Sequence, residues 1–111
     1  MNIIGDVKGK KAIIIDDMID TAGTICNAGQ ALKENGATEV YCCAVHAVFS
    51  GPAIERLENS VFTKVVVTDT IELPEEKHFD KLRVLSTSKM FAETIKRIAS
   101  SEAISDLFEM P

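Results

Sequence analysis

Three carboxylates and a run of four small residues crowd one short stretch of this chain: Asp16, Asp17 and Asp20, then Thr21, Ala22, Gly23 and Thr24. Carboxylates are acceptors and suit the hydroxyls of a polyol. The Thr21 and Thr24 hydroxyls can donate to an anion, and Gly23 lets main chain come close to a ligand. The loop opens into a helical pattern, and the first N–H groups of a helix together with its dipole favour negative charge. Acids on one side and an anion cradle on the other suit a phosphorylated sugar such as ribose 5-phosphate. Each feature alone has a plainer reading. Aspartates often end strands, and either threonine could simply cap the helix. A capping threonine can also bind phosphate, so those two roles coexist.

The elements that must position these groups follow from periodicity. Residues 11–16 read as a buried strand that delivers the acids to its C-terminal end. Residues 22–34 read as a helix with Ile25, Ala28 and Leu32 on one face and Asn35-Gly36 as its stop. Glu39 to His46 is apolar at nearly every position, as in a parallel strand covered on both faces. Ser50-Gly51-Pro52 starts a short helix, with Ser50 as its cap and Pro52 at the first helical position. Lys64 to Thr68 and Leu82 to Ser86 are further strands, and a last helix runs from Ser88 to Ala99 with Met90, Phe91, Ile95 and Ile98 toward the core. Strands alternating with helices predict an α/β fold: a parallel sheet with flanking helices. Ligands of such sheets sit beyond the C-terminal strand ends, where Asp16, Asp17, His46 and Asp69 fall. Thr70 to Asp80 is the longest loop, and its Glu75, Glu76 and Asp80 read as a solvated acidic face rather than a metal site.

With 111 residues the chain is one domain at most, and its hydrophobic content of 46% is that of a globular protein. A net charge of −5 argues against nucleic acid or an anionic membrane as partner. Any phosphate must therefore be held by local backbone, hydroxyls and metal ions. Cys26, Cys42 and Cys43 lack a C-x-x-C spacing, and neighbouring strand residues point to opposite faces, so free thiols in a reducing compartment are expected. The N-terminus lacks the pattern of a signal peptide, and no run reaches membrane-spanning length, which predicts a cytoplasmic protein.

The segment from Ala12 to Thr24 resembles the phosphoribosyl-pyrophosphate (PRPP) motif shared by type I phosphoribosyltransferases and ribose-phosphate pyrophosphokinases: apolar residues, two acids, and a spacer ending in Thr-x-Gly-Thr. That motif does not choose between the two groups. His46-Ala47-Val48-Phe49-Ser50-Gly51-Pro52-Ala53 does, because it resembles the pyrophosphokinases' His-x-x-Phe-Ser-Gly-Pro-Ala segment. Glu102 to Phe108 is similar to their C-terminal regulatory loop, with Ser105 and Phe108 matching. The likeness runs from about Asn2 to Phe108 and corresponds to the last third or so of such an enzyme.

The resemblance implies the C-terminal part of a type I phosphoribosyltransferase-like domain over 1–111, with the upstream strands and a first domain absent. It implies Mg²⁺-dependent transfer of a diphosphoryl group from ATP to ribose 5-phosphate by the full-length enzyme. Asp16 and Asp17 would take the ribose hydroxyls near Mg²⁺, and Asp20, Thr21, Ala22, Gly23 and Thr24 the 5-phosphate. Ser105 and Phe108 would serve regulation. No catalytic residue and no direct metal ligand is identified, and most of the ATP site lies outside the chain, so the 111 residues alone are expected to be inactive. With no upstream neighbours for the motif strand, a bare sheet edge and a homo-oligomer are expected.

Other classes remain in view: a type I phosphoribosyltransferase, a non-catalytic synthetase-associated subunit, and a phospho-acceptor receiver domain. A receiver also has an acidic pair after its first strand, and Asp69 and Lys89 could be pressed into its later roles. Thr68 then precedes Asp69 on one strand, which is the wrong order, and the Thr21–Thr24 loop has no place in it. His46 reads equally as a half-buried strand histidine or as a functional one.

Overall fold

Among the described residues, each strand of the sheet except the last pairs, in parallel, with the strand that follows it in the chain. The structure, a computed structural model, describes residues 7–99. The elements are β1 (Lys11–Ile19), α1 (Gly23–Glu34), β2 (Glu39–Ala47), α2 (Ala53–Glu58), β3 (Phe62–Thr68), a 3₁₀ turn at Glu75–Lys77, β4 (Leu82–Leu85) and α3 (Ser88–Ala99). The spatial order β1-β2-β3-β4 is also the sequence order, so the chain crosses the sheet without reversing.

That monotonic order decides where the core lies. Crossovers between parallel strands are right-handed, so successive steps in one direction put every connection on the same face. Ala12 of β1, Val40, Cys42 and Ala44 of β2, Val65 and Val67 of β3 and Leu82 of β4 face that side. There they bury Ile25, Leu32, Ala53, Leu57 and Phe62. Leu73 and Phe79 of the long loop pack onto the same cluster, and the Phe79 ring tilts against Phe49 at 6.1 Å. Burial pushes the Cys42 thiol up to about 12, so this cysteine is an apolar filler. All three cysteines are free.

The opposite face is open among the described residues. Ile13 and Ile15 of β1 are 61% and 79% exposed, and Val45 and Leu85 continue the same surface. The expectation of strands covered on both faces is thus corrected: β2 buries Val40, Cys42 and Ala44 but leaves Tyr41 and Cys43 half-buried and Val45 exposed. Ile95, expected in the core, is 68% exposed on α3. No strand follows β4 on the described face to receive it.

Boundaries moved where pairing outweighed local character. The acids do not end β1. The strand runs three residues past its expected end at Asp16 because β2 extends alongside to Ala47, pairing Asp16 with Ala44, Met18 with His46 and Ile19 with Ala47. On an edge strand the carboxylates stay in water, so nothing opposes this. α1 ends as expected, with Asn35 as C-cap and Gly36 in the left-handed region at φ +97°. Pro52 sits at the N-cap of α2, one position before its expected place.

Candidate anion site at the end of β1

Between β1 and α1 the chain turns through residues 20–22, and this turn rests on the segment after β2. The N–H groups of Val48 and Phe49 donate to the Ile19 carbonyl at 3.0 and 3.1 Å, and the Ser50 N–H donates to the Asp20 carbonyl at 2.8 Å. The Arg56 guanidinium, on α2, donates to the Thr21 carbonyl at 3.1 Å. Three successive carbonyls therefore point back into the protein. In a trans peptide the following N–H points the opposite way, so the N–H groups of Asp20, Thr21 and Ala22 face outward.

Ala22 is the N-cap of α1, in the left-handed conformation at φ 67°, ψ 5°. A left-handed residue directly before helical ones gathers successive N–H groups around one concavity, an anion-binding nest. The first helical N–H groups that follow have no partner inside the helix; the first intrahelical bond here is Cys26 N–H to the Ala22 carbonyl, 3.1 Å. The concavity has a volume of about 130 Å³ and is lined by Asp16 and by Met18 through Ile25. Neither threonine caps the helix with its side chain, contrary to the plainer reading, since the N-cap is Ala22 and makes no side-chain cap bond. Thr21 and Thr24 are exposed, with their hydroxyls at the rim.

The structure thus brings Asp16, Asp20, Thr21, Ala22, Gly23 and Thr24 to one cavity. Asp17 stands apart. Successive strand residues alternate faces, so Asp17 lies on the side of Ile13 and Ile15 and does not line the cavity. Its main-chain N–H donates to Asp16 Oδ1 at 2.7 Å. The neighbouring Asp16 carboxyl and the Met18 N–H hold the Asp17 carboxyl below its usual value. His46 is half-buried, its Nδ1 2.8 Å from the Thr70 hydroxyl. Asp69 is engaged from β4's far end: the Thr87 N–H and hydroxyl both reach Asp69 Oδ1, at 2.8 and 2.6 Å, and lower its pKa. Ser50 caps α2 with its carbonyl, which accepts from Ala53 N–H at 3.2 Å, rather than with its hydroxyl. Ser105 and Phe108 lie outside the described residues.

Sequence reasoning missed Arg56. It is 35 positions from Thr21, and only the β2–α2 crossover brings it behind the loop. Gly23 is also explained differently. A Cβ there would lie 2.9 Å from the Arg56 guanidinium, so the first neighbour a side chain would meet is this arginine.

With this geometry in hand the comparisons are specific. A family model described as the phosphoribosyl synthetase-associated domain matches residues 1–109. The chain belongs to that family. It is 60% identical over 108 residues to the ribose-phosphate pyrophosphokinase of Caldanaerobacter subterraneus subsp. tengcongensis, covering 97% of this chain and 34% of that enzyme. Ribose-phosphate pyrophosphokinase 1 of Lactococcus lactis subsp. lactis is 61% identical over 110 residues, with 99% of this chain and 34% of the enzyme covered. The crystal structure of phosphoribosylpyrophosphate synthetase from Mycobacterium smegmatis superposes with a TM-score of 0.83 at 45% identity, over 88% of this chain and 33% of that one. The α/β fold with its four-stranded parallel sheet therefore matches a third of the synthetase structure. The chain spans about a third of the length of the relatives it matches. The receiver reading has no support left: the sequence belongs elsewhere, and Asp69 is occupied by Thr87.

Proposed function

We propose that this chain carries the ribose 5-phosphate half of a ribose-phosphate diphosphokinase site. The observation that carries the reading is the left-handed Ala22 at the head of α1, which opens a nest of N–H groups onto a cavity flanked by Asp16. The cavity holds about four times a water molecule's share of liquid volume (~30 Å³), room for a phosphate group and the start of a sugar. In this reading the main chain of Asp20 to Thr24, with the Thr21 and Thr24 hydroxyls, binds the 5-phosphate. Asp16 accepts from a ribose hydroxyl at the cavity wall, and Asp17 acts through the Asp16 carboxyl beside it.

The donor set also fits Mg²⁺. Two adjacent, exposed carboxylates are hard oxygen ligands, and among the described residues no cluster of three or more acids, histidines or cysteines forms an all-protein cage. Mg²⁺ keeps most of its water and is held through one or two carboxylates plus substrate phosphate; it would sit near Asp16 at the cavity wall, with Asp17 beside that residue. Its contribution when bound is to neutralise phosphate charge. The chain's own residues supply position, which together with electrostatic stabilisation makes up nearly all of catalysis in phosphoryl transfer. In the whole enzyme the reaction is transfer of the diphosphoryl group of ATP to the 1-hydroxyl of ribose 5-phosphate, giving PRPP and AMP. Most of the ATP site belongs to the other two thirds of such an enzyme, and the open apolar face suits self-association into a homo-oligomer.

An NMR titration of the labelled chain with ribose 5-phosphate tests the reading. Shifts confined to residues 20–25 and Asp16, lost in Gly23→Val, are the expected result. No shift in that stretch would remove the reading.

A further inference from the structure

Two segments hold the back of the anion loop, and only one does so with a side chain. The main chain of residues 48–50 takes the Ile19 and Asp20 carbonyls, and Arg56 takes the Thr21 carbonyl. The peptide that Arg56 grips is the one whose N–H belongs to Ala22. That residue has a non-glycine side chain in the left-handed region, a conformation costing about 1–2 kcal/mol unless its surroundings hold it.

Arg56 is itself firmly based. Its neighbours Ala53 and Leu57 are fully buried, its N–H donates to the Pro52 carbonyl at 3.0 Å, and its carbonyl accepts from Cys26 Sγ at 3.7 Å, tying α2 to α1. The guanidinium reaches the loop from the side away from Asp16, through a groove shared with Asn27, Gln30 and Asn59. It passes so close to Gly23 that a Cβ would sit 2.9 Å from it. Glycine at 23 and arginine at 56 are therefore one device: the first clears the path that the second uses.

We infer that Arg56 is a positioning residue for the anion site, holding the Thr21–Ala22 peptide so that the Ala22 N–H is turned into the cavity before any ligand arrives. The inference rests on the reading of that cavity as a phosphate site. It differs from a simple charge effect, because the guanidinium is spent on a carbonyl behind the loop. A planar fork with fixed donors suits this task in a way a lysine ammonium does not.

The test compares the wild-type chain with Arg56→Met, Gly23→Ala and the double variant, by NMR. One reading is the sign of φ at Ala22 from its one-bond Cα–Hα coupling in the free protein. The other is affinity for inorganic phosphate and ribose 5-phosphate, with the β3 resonances as a control for folding. In Arg56→Met, Ala22 should leave the left-handed region and phosphate affinity should fall about tenfold or more, as expected for a lost charge-assisted hydrogen bond. Gly23→Ala should weaken binding in the wild type and add nothing in the Arg56→Met background. Unchanged Ala22 coupling in Arg56→Met, or strictly additive losses in the double variant, would overturn the inference. If the wild type binds no phosphate, the cavity reading fails, yet the Ala22 coupling still decides what Arg56 does. Should Arg56→Met not fold, Arg56→Lys, which keeps the stem and the charge, carries the same readings. Full retention of both in that variant would show that charge alone suffices.

Discussion

Gly29 lies against the ring of Phe62: a Cβ at position 29 would stand 2.8 Å from two of its ring carbons. Both residues are buried, and the contact sets how closely α1 approaches the start of β3. Gly29→Ala should therefore destabilise the fold, although alanine is the better helix former by about 1 kcal/mol. Overpacking of this kind costs about 1–3 kcal/mol. Urea unfolding should show a lower midpoint at an unchanged slope. A higher midpoint would mean that the ring gives way freely.

Asp69 should titrate below its ordinary 3.8, chiefly because the Thr87 hydroxyl and then the Thr87 N–H donate to its carboxylate. A depressed carboxyl stabilises the fold above its unfolded pKa, and that contribution is lost as pH falls through the lower, folded value. The pinning of the β4–α3 turn should accordingly persist above the ordinary carboxyl range and fail as pH falls through the lower, folded midpoint. Thr87→Val removes the main donor and should move the Asp69 midpoint up toward 3.8. Carboxyl-carbon NMR measures both midpoints; coincident values would refute the assignment.

Isolated, the chain should release no AMP from ATP and ribose 5-phosphate, since both substrates must be aligned and only one half-site is proposed here. The same residues within a full-length enzyme should turn over, and Asp16→Ala there should raise the KM for ribose 5-phosphate more than that for ATP. In the isolated chain Asp16→Ala should lower ribose 5-phosphate affinity toward that of inorganic phosphate, the loop donors being untouched. Turnover by the isolated chain that survives Asp16→Ala would show the site to be elsewhere.

The open face makes a prediction about assembly. Ile13 and Ile15 are both more than half exposed on an edge strand, which invites association. Sedimentation should detect concentration-dependent oligomers, and Ile15→Lys should shift them toward monomer while leaving ribose 5-phosphate binding in place. A wild-type chain that stays monomeric at high concentration would contradict this.

What could be read in the sequence was what is local. Alternation, apolar runs and the Asn35-Gly36 stop are properties of neighbouring residues, so the helices and strands fell within a few positions of their places. The motif from Asp16 to Thr24 is contiguous, so its family likeness could be read directly. Pairing is not local: nothing in Asp16-Asp17 says that β2 will carry the ladder past them to Ile19. Nor does the spelling of Ile13 to Ile15 distinguish a strand with two covered faces from one with a single covered face. Arg56 was invisible for the same reason, as one charge on a short helix whose role depends on a crossover. The left-handed state of Ala22 had no signal either, because alanine, unlike glycine or asparagine, does not favour that region.

In open α/β sheets ligands gather where the strand order turns back on itself, because the loops on the two sides of that point diverge and leave a crevice. The order β1-β2-β3-β4 contains no such reversal. The candidate anion loop hangs from β1, the terminal strand of the described run, so it is backed by residues 48–50 on the β2 side and, among the described residues, has no strand on the other. A strand laid along β1's free edge with its own crossover on the bare face would convert the sheet's end into a reversal point and give the site its second wall. The sheet's free margin and the cavity's open rim are then the same boundary, and whatever covers one bears on the other.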